Sequence, residues 1–166
     1  MTSFEDLYNT YFKRVYAYIF SRVRNHAIAE DLCAASWKNA YEHWASYDEQ
    51  KGEFTQWIFT IARNQTNMYW RLYWVKNVFS LAEEESNPVS AGNSPLTELE
   101  QDSFRQDLTK ALGKLSARER DLVALKFYAG LNNRQIAQLS QLSESNVGTI
   151  VNRAVTKMRK WMKNYD

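Results

Sequence analysis

The sequence predicts an all-helical protein, with two small helical domains joined by a flexible acidic linker. Both prolines, Pro88 and Pro95, lie within residues 83–97, a stretch rich in Asn, Ser and Glu that is typical of a linker. Elsewhere the apolar residues recur at helical spacing, and the period-two alternation expected of strands is nearly absent. The 166 residues suffice for two such domains, because helical domains of under about 100 residues still fold alone.

Three helices are expected in the first half, over about residues 3–24, 27–44 and 54–74. Ser3 followed by Asp6 matches a capping box, which marks the start of the first helix. Breaks are expected at Asn25-His26 and over residues 48–52, so the half should fold as three consecutive helices.

The second half begins with a helix expected from Ser94 to about Leu112, because Pro95 at the first helical position loses no needed hydrogen-bond donor. A second capping box, at Ser116 and Glu119, starts the next helix. Gly130 suits the left-handed residue that ends a helix, so this helix is expected over residues 117–129.

The last forty residues predict a helix-turn-helix. A short amphipathic segment over residues 132–139 is followed by a break at 140–143 and a longer helix from Glu144. One side of the longer helix is apolar, with a period near 3.6: Val147, Ile150, Val151, Ala154, Met158 and Trp161. In such a motif the second helix enters the major groove of DNA.

Charge is distributed unevenly although the net charge is only +2. Residues 1–79 carry nine basic and eight acidic side chains, residues 80–109 one and seven, and residues 110–166 eleven and four. The basic C-terminal part indicates an anionic partner, and nucleic acid is the leading candidate. The chain has no apolar run of membrane-spanning length and opens without an export signal, so a cytoplasmic protein without membrane insertion is expected.

The sequence offers little for catalysis or metal binding. Cys33 is the only cysteine, and the two histidines, His26 and His43, have no metal-ligand spacing. The five glycines form no phosphate-binding loop, and the adjacent carboxylates of Glu30 and Asp31 diverge by about 100° on a helix. We therefore expect no enzyme, no metal, no cofactor and no small-molecule substrate.

The predicted recognition helix carries two groups of polar residues off its apolar side. The first, suited to base edges, contains Ser145, Asn146, Gly148, Thr149, Asn152 and Arg153. The second, suited to phosphates, contains Lys157, Arg159, Lys160 and Lys163. A solvated helix face is the alternative, and it stays open for the C-terminal lysines because they also complement the helix dipole. DNA contact is favoured for Asn146, Thr149 and Arg153.

Aromatic residues are concentrated in the first half, which holds five of the six tryptophans. They interleave with polar residues over 54–74: Phe54, Trp57, Phe59, Arg63, Asn64, Gln65, Asn67, Tyr69, Trp70, Arg71, Tyr73 and Trp74. Exposed aromatics beside Arg and Asn suit stacking on unpaired bases. The alternative places Trp57, Phe59 and Ile61 in the core, with Trp70, Tyr73 and Trp74 packed against the C-terminal domain or a protein partner.

Several segments, in order along the chain, resemble conserved segments of the extracytoplasmic-function sigma factors. Ala29-Glu30-Asp31-Leu32 followed by Trp37, and FTQWIFTIARN at 54–64, are similar to segments of conserved region 2. Segments similar to conserved region 4 are Leu115–Arg120, Gly130-Leu131, Ile136-Ala137 and 143–154. The resemblance implies an alternative sigma factor that binds core RNA polymerase and promoter DNA. It divides the chain into region 2 at 1–79, a linker at 80–107 and region 4 at 108–166.

The resemblance also implies roles for individual residues. Those on the second helix that would bind the clamp helices of the polymerase's largest subunit are Asp31, Leu32, Ala34, Ala35 and Trp37. Those that would melt and read the minus-ten element are Trp57, Arg63, Asn64, Asn67 and Arg71, with Asn64 in the pocket for a flipped base. Those that would contact the minus-thirty-five element are Ser145, Asn146, Gly148, Thr149, Asn152, Arg153, Lys157, Arg134, Arg118 and Arg120.

Three positions depart from the family pattern. Ala34 stands where Gln is usual, Gln135 where Glu is common, and Gly148 where many members carry Lys or Arg. Glycine costs a helix about 1 kcal/mol against alanine, but it would permit a close backbone approach to DNA. The resemblance implies an anti-sigma protein, often membrane-bound, as a further partner.

Two other functions are considered. A plain helix-turn-helix regulator would bind duplex DNA without polymerase, but it leaves the tryptophan-rich first half unexplained. A helical adaptor, or a decoy that binds anti-sigma proteins, would dock on proteins and never contact DNA.

Overall fold

The computed structural model describes residues 2–79 and 103–162, with side chains up to Asn77 in the first range. The chain divides into two compact units, Met1–Ala91 and Gly92–Asp166. Every regular element within the described ranges is a helix, which confirms the predicted all-helical fold. Residues 80–102 of the predicted linker, the helix start expected at Ser94 and the cation Lys163 lie outside the described residues.

The first unit contains helices α1 (Phe4–Val23), α2 (His26–Glu42) and α3 (Phe54–Phe79). The capping box forms as predicted, with the Asp6 N–H donating to Ser3 Oγ at 3.1 Å. α1 ends at Arg24 in the left-handed region, and Asn25 then caps α2 by accepting a hydrogen bond from the Ile28 N–H. A 3₁₀ turn, Trp44–Ser46, follows α2.

Each helix of this unit packs against the other two. The buried side chains include Val15, Tyr18 and Ile19 from α1, Ala29, Cys33 and Ala40 from α2, and Ile58, Phe59 and Ala62 from α3. The Phe59 and Tyr18 rings meet edge to face with centroids 5.8 Å apart. Cys33 is buried, and burial raises the pKa of its thiol to about 12.

The second unit contains α4 (Ser103–Lys114), α5 (Ala117–Phe127), α6 (Asn133–Ser140) and α7 (Glu144–Trp161). The second capping box also forms as predicted, with the Glu119 N–H donating to Ser116 Oγ at 3.2 Å. α5 ends two residues earlier than expected, and Gly130 follows with φ 70° as predicted. α4 already includes residues 103–107, the last five that the sequence analysis assigned to the linker.

Helices α6 and α7 and the turn at 141–143 form the predicted helix-turn-helix. Gln141 turns the chain with φ 61°, and Ser143 Oγ caps α7 by accepting from the Asn146 N–H at 3.0 Å. The apolar side of α7 is buried at Val147, Val151, Ala154 and Met158. Trp161 departs from the expected side, because it is 40% exposed at the helix end with the Lys114 ammonium 5.4 Å from its ring centroid.

Candidate nucleic-acid interface

The outward face of α7 carries most of the residues expected to contact DNA. Burial of the apolar side against the rest of the unit leaves the opposite side in solvent. The exposed members are Ser145, Asn146, Thr149, Asn152 and Arg153. This face combines amide and hydroxyl groups with a guanidinium, a set of donors and acceptors that suits base edges and phosphates.

Gly148 lies on a different side of α7 from this face. It is half-buried, and a Cβ on it would meet Asn133 Nδ2 of α6 at 3.4 Å. Asn133 is itself held by the Lys126 ammonium, which donates to its Oδ1 at 2.9 Å. Gly148 thus lies beside α6, and the backbone approach to DNA expected at this position stays a prediction.

Lys157, expected to contact phosphate, forms an ion pair within the protein. Its ammonium donates to Glu119 Oε2 at 2.7 Å, while Oε1 of the same carboxylate accepts from the Ser116 N–H in the capping box. The Lys157 hydrogen bond, and then the backbone hydrogen bond from Ser116, lower the pKa of Glu119 below its ordinary value of 4.5. One carboxylate thus caps α5 and anchors α7.

The Glu119 pairing predicts an acid-sensitive contribution to stability. Because its pKa is lowered in the folded state, the contribution is fully present above pH 4.5 and is lost as the pH falls through the folded pKa. We expect Glu119→Gln to flatten the pH dependence of the free energy of unfolding below about pH 4.5. Denaturant unfolding at a series of pH values checks this, with the exposed Glu144→Gln as the control. Parallel curves for wild type and Glu119→Gln would contradict it.

Arg120 is used inside the second unit. Its Nε donates to the Leu112 carbonyl at 2.9 Å, and its Nη2 donates to the carbonyls of Leu115 at 3.0 Å and Gly113 at 3.3 Å. The last carbonyls of a helix have no partner within the helix, so the guanidinium caps the end of α4. The phosphate contact expected of Arg120 stays a prediction, and Arg118 and Arg134 are exposed.

Arg120→Ala should therefore lower stability more than it lowers DNA affinity. Loss of three charge-assisted hydrogen bonds to partly buried carbonyls is expected to reduce the free energy of unfolding by about 2 kcal/mol. Arg118→Ala, at an exposed neighbour, is the matched control and is expected to change it by less than about 0.5 kcal/mol. Denaturant unfolding of both variants makes the comparison, and equal stabilities would refute the capping role.

In the first unit, four polar residues expected at the minus-ten element follow one another along α3. Asn64 and Arg71 are exposed, and Arg63 and Asn67 are half-buried. Asn67 is held from α1, where Arg22 Nη1 donates to its Oδ1 at 2.8 Å. Arg22 belongs to no sequence motif and its partner is 45 residues away along the chain, so this contact was not predictable from the sequence.

The aromatic residues of α3 divide between packing and exposure. Trp57 is half-buried, with its ring centroid 5.1 Å from that of Tyr47 and 5.7 Å from that of Phe54. Phe59 is fully buried and Ile61 is half-buried, which is closer to the alternative that places these residues in the core. Further along the helix, rings contact one another over Tyr69, Trp70, Tyr73 and Trp74. Trp74 is 64% exposed and open to a partner.

The residues of α2 expected to bind polymerase differ in accessibility. Asp31 and Ala34 are exposed, and Leu32 and Ala35 are half-buried. Trp37 is only 5% exposed, and its ring packs against those of Phe4, Tyr8 and Phe54. Its assignment to the polymerase contact is therefore corrected, because the indole belongs to the core.

An apolar groove lies in the second unit between α4, α5 and α7. Its volume is about 400 Å³, and the residues that line it include Phe104, Leu108, Phe127, Val155 and Met162. Phe127 and Phe104 are 62% and 43% exposed, so large apolar rings stand at its edge. Exposed apolar patches of this kind are found at protein-binding, membrane-binding and ligand-binding surfaces.

Within residues 2–79 and 103–162, no cluster of three or more His, Cys, Asp or Glu side chains is placed to hold a metal ion. None of the described helices has both the length and the apolar character needed to cross a membrane.

Comparison with known proteins gives two family matches: residues 7–74 match sigma-70 region 2, and residues 105–158 match sigma-70 region 4. The ECF RNA polymerase sigma factor SigM of Bacillus subtilis is 26% identical over 93% of this chain and 92% of its own length. RNA polymerase sigma factor CarQ of Myxococcus xanthus is 28% identical over 95% of this chain and 88% of its own length.

Solved structures share the fold. The sigma factor RpoE of Bartonella quintana, in complex with the anti-sigma factor NepR, has a TM-score of 0.72 and 23% identity over 98% of each chain. CnrH, in complex with the cytosolic domain of CnrY, has a TM-score of 0.68 and 17% identity over 98% of this chain and 89% of its own. The two regional matches together span most of the chain in the expected order. The chain therefore belongs to the sigma-70 family, as a sigma factor of the extracytoplasmic-function group.

Proposed function

We propose that the chain acts as an alternative sigma factor: it binds core RNA polymerase, recognises promoters with both units and starts transcription there. The observation that carries the proposal is that one chain offers two surfaces suited to different forms of DNA. One is the outward face of α7, suited to duplex. The other is the surface of α3 with Asn64, Arg71 and Trp74, suited to unpaired bases. The protein acts in the cytoplasm and catalyses no reaction of its own.

In the second unit, α7 reads the minus-thirty-five element from the major groove. Asn146, Thr149 and Arg153 contact base edges, and the exposed Arg118 and Arg134 contact phosphates. Ser145 and Asn152, on the same exposed side, add hydrogen-bonding groups. Lys157 stays paired with Glu119, which compensates its charge.

In the first unit, α3 opens the minus-ten element and holds the separated strand. Asn64 lines the pocket for a flipped base, and Arg63 and Arg71 attract the phosphates that flank it. The exposed ring of Trp74 supplies a surface on which an unpaired base stacks.

Polymerase binds at two places. The exposed side of α2, with Asp31 and Ala34 flanked by Leu32 and Ala35, meets the clamp helices of the largest subunit. The apolar groove of the second unit receives an apolar segment of the polymerase flap. The domains of this scheme are region 2 at 1–79, a linker that begins at 80 and ends before α4, and region 4 from α4 onwards.

An anti-sigma protein regulates the chain by covering these surfaces. Support comes from a solved structure of similar fold, in which the sigma factor RpoE is in complex with the anti-sigma factor NepR. CnrH, whose fold is also similar, is in complex with the cytosolic domain of CnrY. The apolar groove, with Phe127 at its edge, is a second place for such a partner, which would then compete with polymerase.

The test combines core polymerase binding with run-off transcription on genomic promoter fragments, with and without the full chain. Core binding together with new, protein-dependent transcripts is the expected result. Tight duplex binding without core association would favour the plain helix-turn-helix regulator instead. Polymerase binding or anti-sigma binding without any DNA contact would favour the adaptor.

Arg153→Ala tests the minus-thirty-five contact within the same assay. Loss of one Arg contact to DNA costs about 1–3 kcal/mol, so transcription at subsaturating protein should fall about tenfold. Lys110→Ala, which removes an exposed basic residue of α4, is the matched control and should transcribe as wild type does. Normal transcription by Arg153→Ala would remove this residue from the interface.

A further inference from the structure

One hydrogen bond joins the end of α1 to the polar surface of α3. Arg22 lies in the last turn of α1, and its Nη1 donates to Asn67 Oδ1 at 2.8 Å. The guanidinium is itself supported by Tyr18, whose hydroxyl oxygen accepts from the same Nη1 at 3.3 Å. Its central carbon lies 6.0 Å from the centroid of the Tyr18 ring. Tyr18 is fully buried, so Arg22 approaches Asn67 from a fixed position.

The chemistry of the pair determines which way round the Asn67 amide faces. A guanidinium carries only donors, whereas an Asn side chain carries one acceptor oxygen and one nitrogen with two N–H donors. The reversed amide would place N–H groups against N–H groups, so the oxygen faces Arg22. The Nδ2 group, with both donors, is consequently turned away from Arg22.

Asn67 occupies the part of α3 that carries the minus-ten residues. Residues three and four apart on a helix share a face, so Asn64 and Arg63 lie one turn before Asn67, and Trp70 and Arg71 lie one turn after it. Asn64 and Arg71 are exposed, and Asn67 is half-buried beside them. Donors at Asn67 are therefore available to a strand that binds along this face.

We propose that Arg22 is a positioning residue that fixes the Asn67 amide with its donors towards the separated promoter strand, where Asn67 binds a hydrogen-bond acceptor. This inference rests on the proposed function. The acceptor is an oxygen or ring nitrogen of an unpaired base, or a phosphate oxygen of the same strand. Arg22 acts through Asn67, and its Nη1 donates to Asn67 and Tyr18.

The first test is Asn67→Asp. A carboxylate accepts from Arg22 as the amide oxygen does, so the contact between α1 and α3 is kept, but both donors are lost. The probe is a single-stranded fragment of the melted region of a promoter identified by run-off transcription, bound to the reconstituted holoenzyme. We expect the affinity of the holoenzyme for this strand to fall about tenfold, while the melting temperature of the protein stays unchanged or rises. Wild-type affinity for this variant would overturn the proposal.

The second test is a double-mutant cycle, which separates positioning from other roles of Arg22. Arg22→Met should weaken strand binding when Asn67 is present and have no further effect in an Asn67→Ala background. An equal loss in both backgrounds would overturn the proposal, because Arg22 would then contact DNA directly or act only through stability. Thermal unfolding of every variant identifies the second of these cases.

Modified strands identify the acceptor. One modified strand lacks a single base, and the other carries one uncharged methylphosphonate linkage. Either should bind wild type more weakly than the unmodified strand does. Either should bind the Asn67→Asp variant no more weakly than the unmodified strand does. If the abasic strand removes the difference in affinity between wild type and Asn67→Asp, the acceptor is a base. If the methylphosphonate strand removes it, the acceptor is a phosphate. If neither modification has this effect at any position of the strand, the proposal is overturned. If the protein produces new transcripts but the Asn67 variants bind the strand as wild type does, this inference alone is rejected. If the protein produces no new transcripts, the proposed function is rejected as well.

Discussion

Replacement of Asn64 by alanine is expected to slow promoter opening about tenfold or more while leaving core polymerase binding unchanged. Asn64 is exposed on α3, so its loss leaves the packing of the first unit intact. A pocket for a flipped base depends on hydrogen bonds to the edge of that base, and one good side-chain contact is worth about 1–3 kcal/mol. Open-complex formation, followed by permanganate reactivity of unpaired thymines, measures the effect.

The matched control is Asn77→Ala, which removes an exposed residue of the same type from the same helix. It should open promoters at the wild-type rate. Normal opening by Asn64→Ala would show that the base pocket lies elsewhere, although the family assignment would stand. Loss of core binding by Asn64→Ala would instead make this residue part of the polymerase contact.

Replacement of Phe59 by alanine should destabilise the first unit by about 3–5 kcal/mol. Phe59 is fully buried, and its ring meets that of Tyr18 edge to face. Truncation leaves a cavity that the surrounding helices fill only in part, so both the transfer free energy and the packing contacts are lost. Five of the six tryptophans precede residue 80, so tryptophan fluorescence in a denaturant titration follows this unit.

Trp74→Ala is the control for Phe59→Ala. It also removes a large aromatic ring from α3, but from a position that is 64% exposed, so we expect a change of less than about 0.5 kcal/mol. Similar destabilisation by both variants would mean that the two rings are equally buried in solution, which would contradict the packing of this helix.

Helix ends and the helix-turn-helix were predictable because their signals are local. The capping boxes at Ser3 and Ser116 bring together residues three apart, and Gly130 marks a backbone conformation by its own lack of a side chain. The apolar period of α7 likewise reports its buried side. α3 extends beyond the predicted end at Trp74 to Phe79, where no break residue intervenes.

The partners of individual side chains were not predictable in the same way. Periodicity indicates that a residue is polar or faces outward, but the carbonyls that Arg120 reaches depend on how α4 and α5 meet. The partner of Lys157 is 38 residues away in sequence. Trp37 matched a family segment and still proved to be core, because its ring lies among those of α1 and α3. The DNA and polymerase contacts of the remaining residues stay predictions.

The Glu119 carboxylate both completes the α5 capping box and pairs with Lys157. It therefore affects the stability of the second unit and the charge on α7. A substitution that removes Glu119 would loosen the start of α5 and, in the same step, leave an uncompensated ammonium group on α7. The salt sensitivity of DNA binding would then rise together with the loss of stability. Glu119→Ala is therefore expected to change the stability of the second unit and the charge on α7 together, whereas Glu119→Gln keeps a capping side chain and removes only the compensating charge.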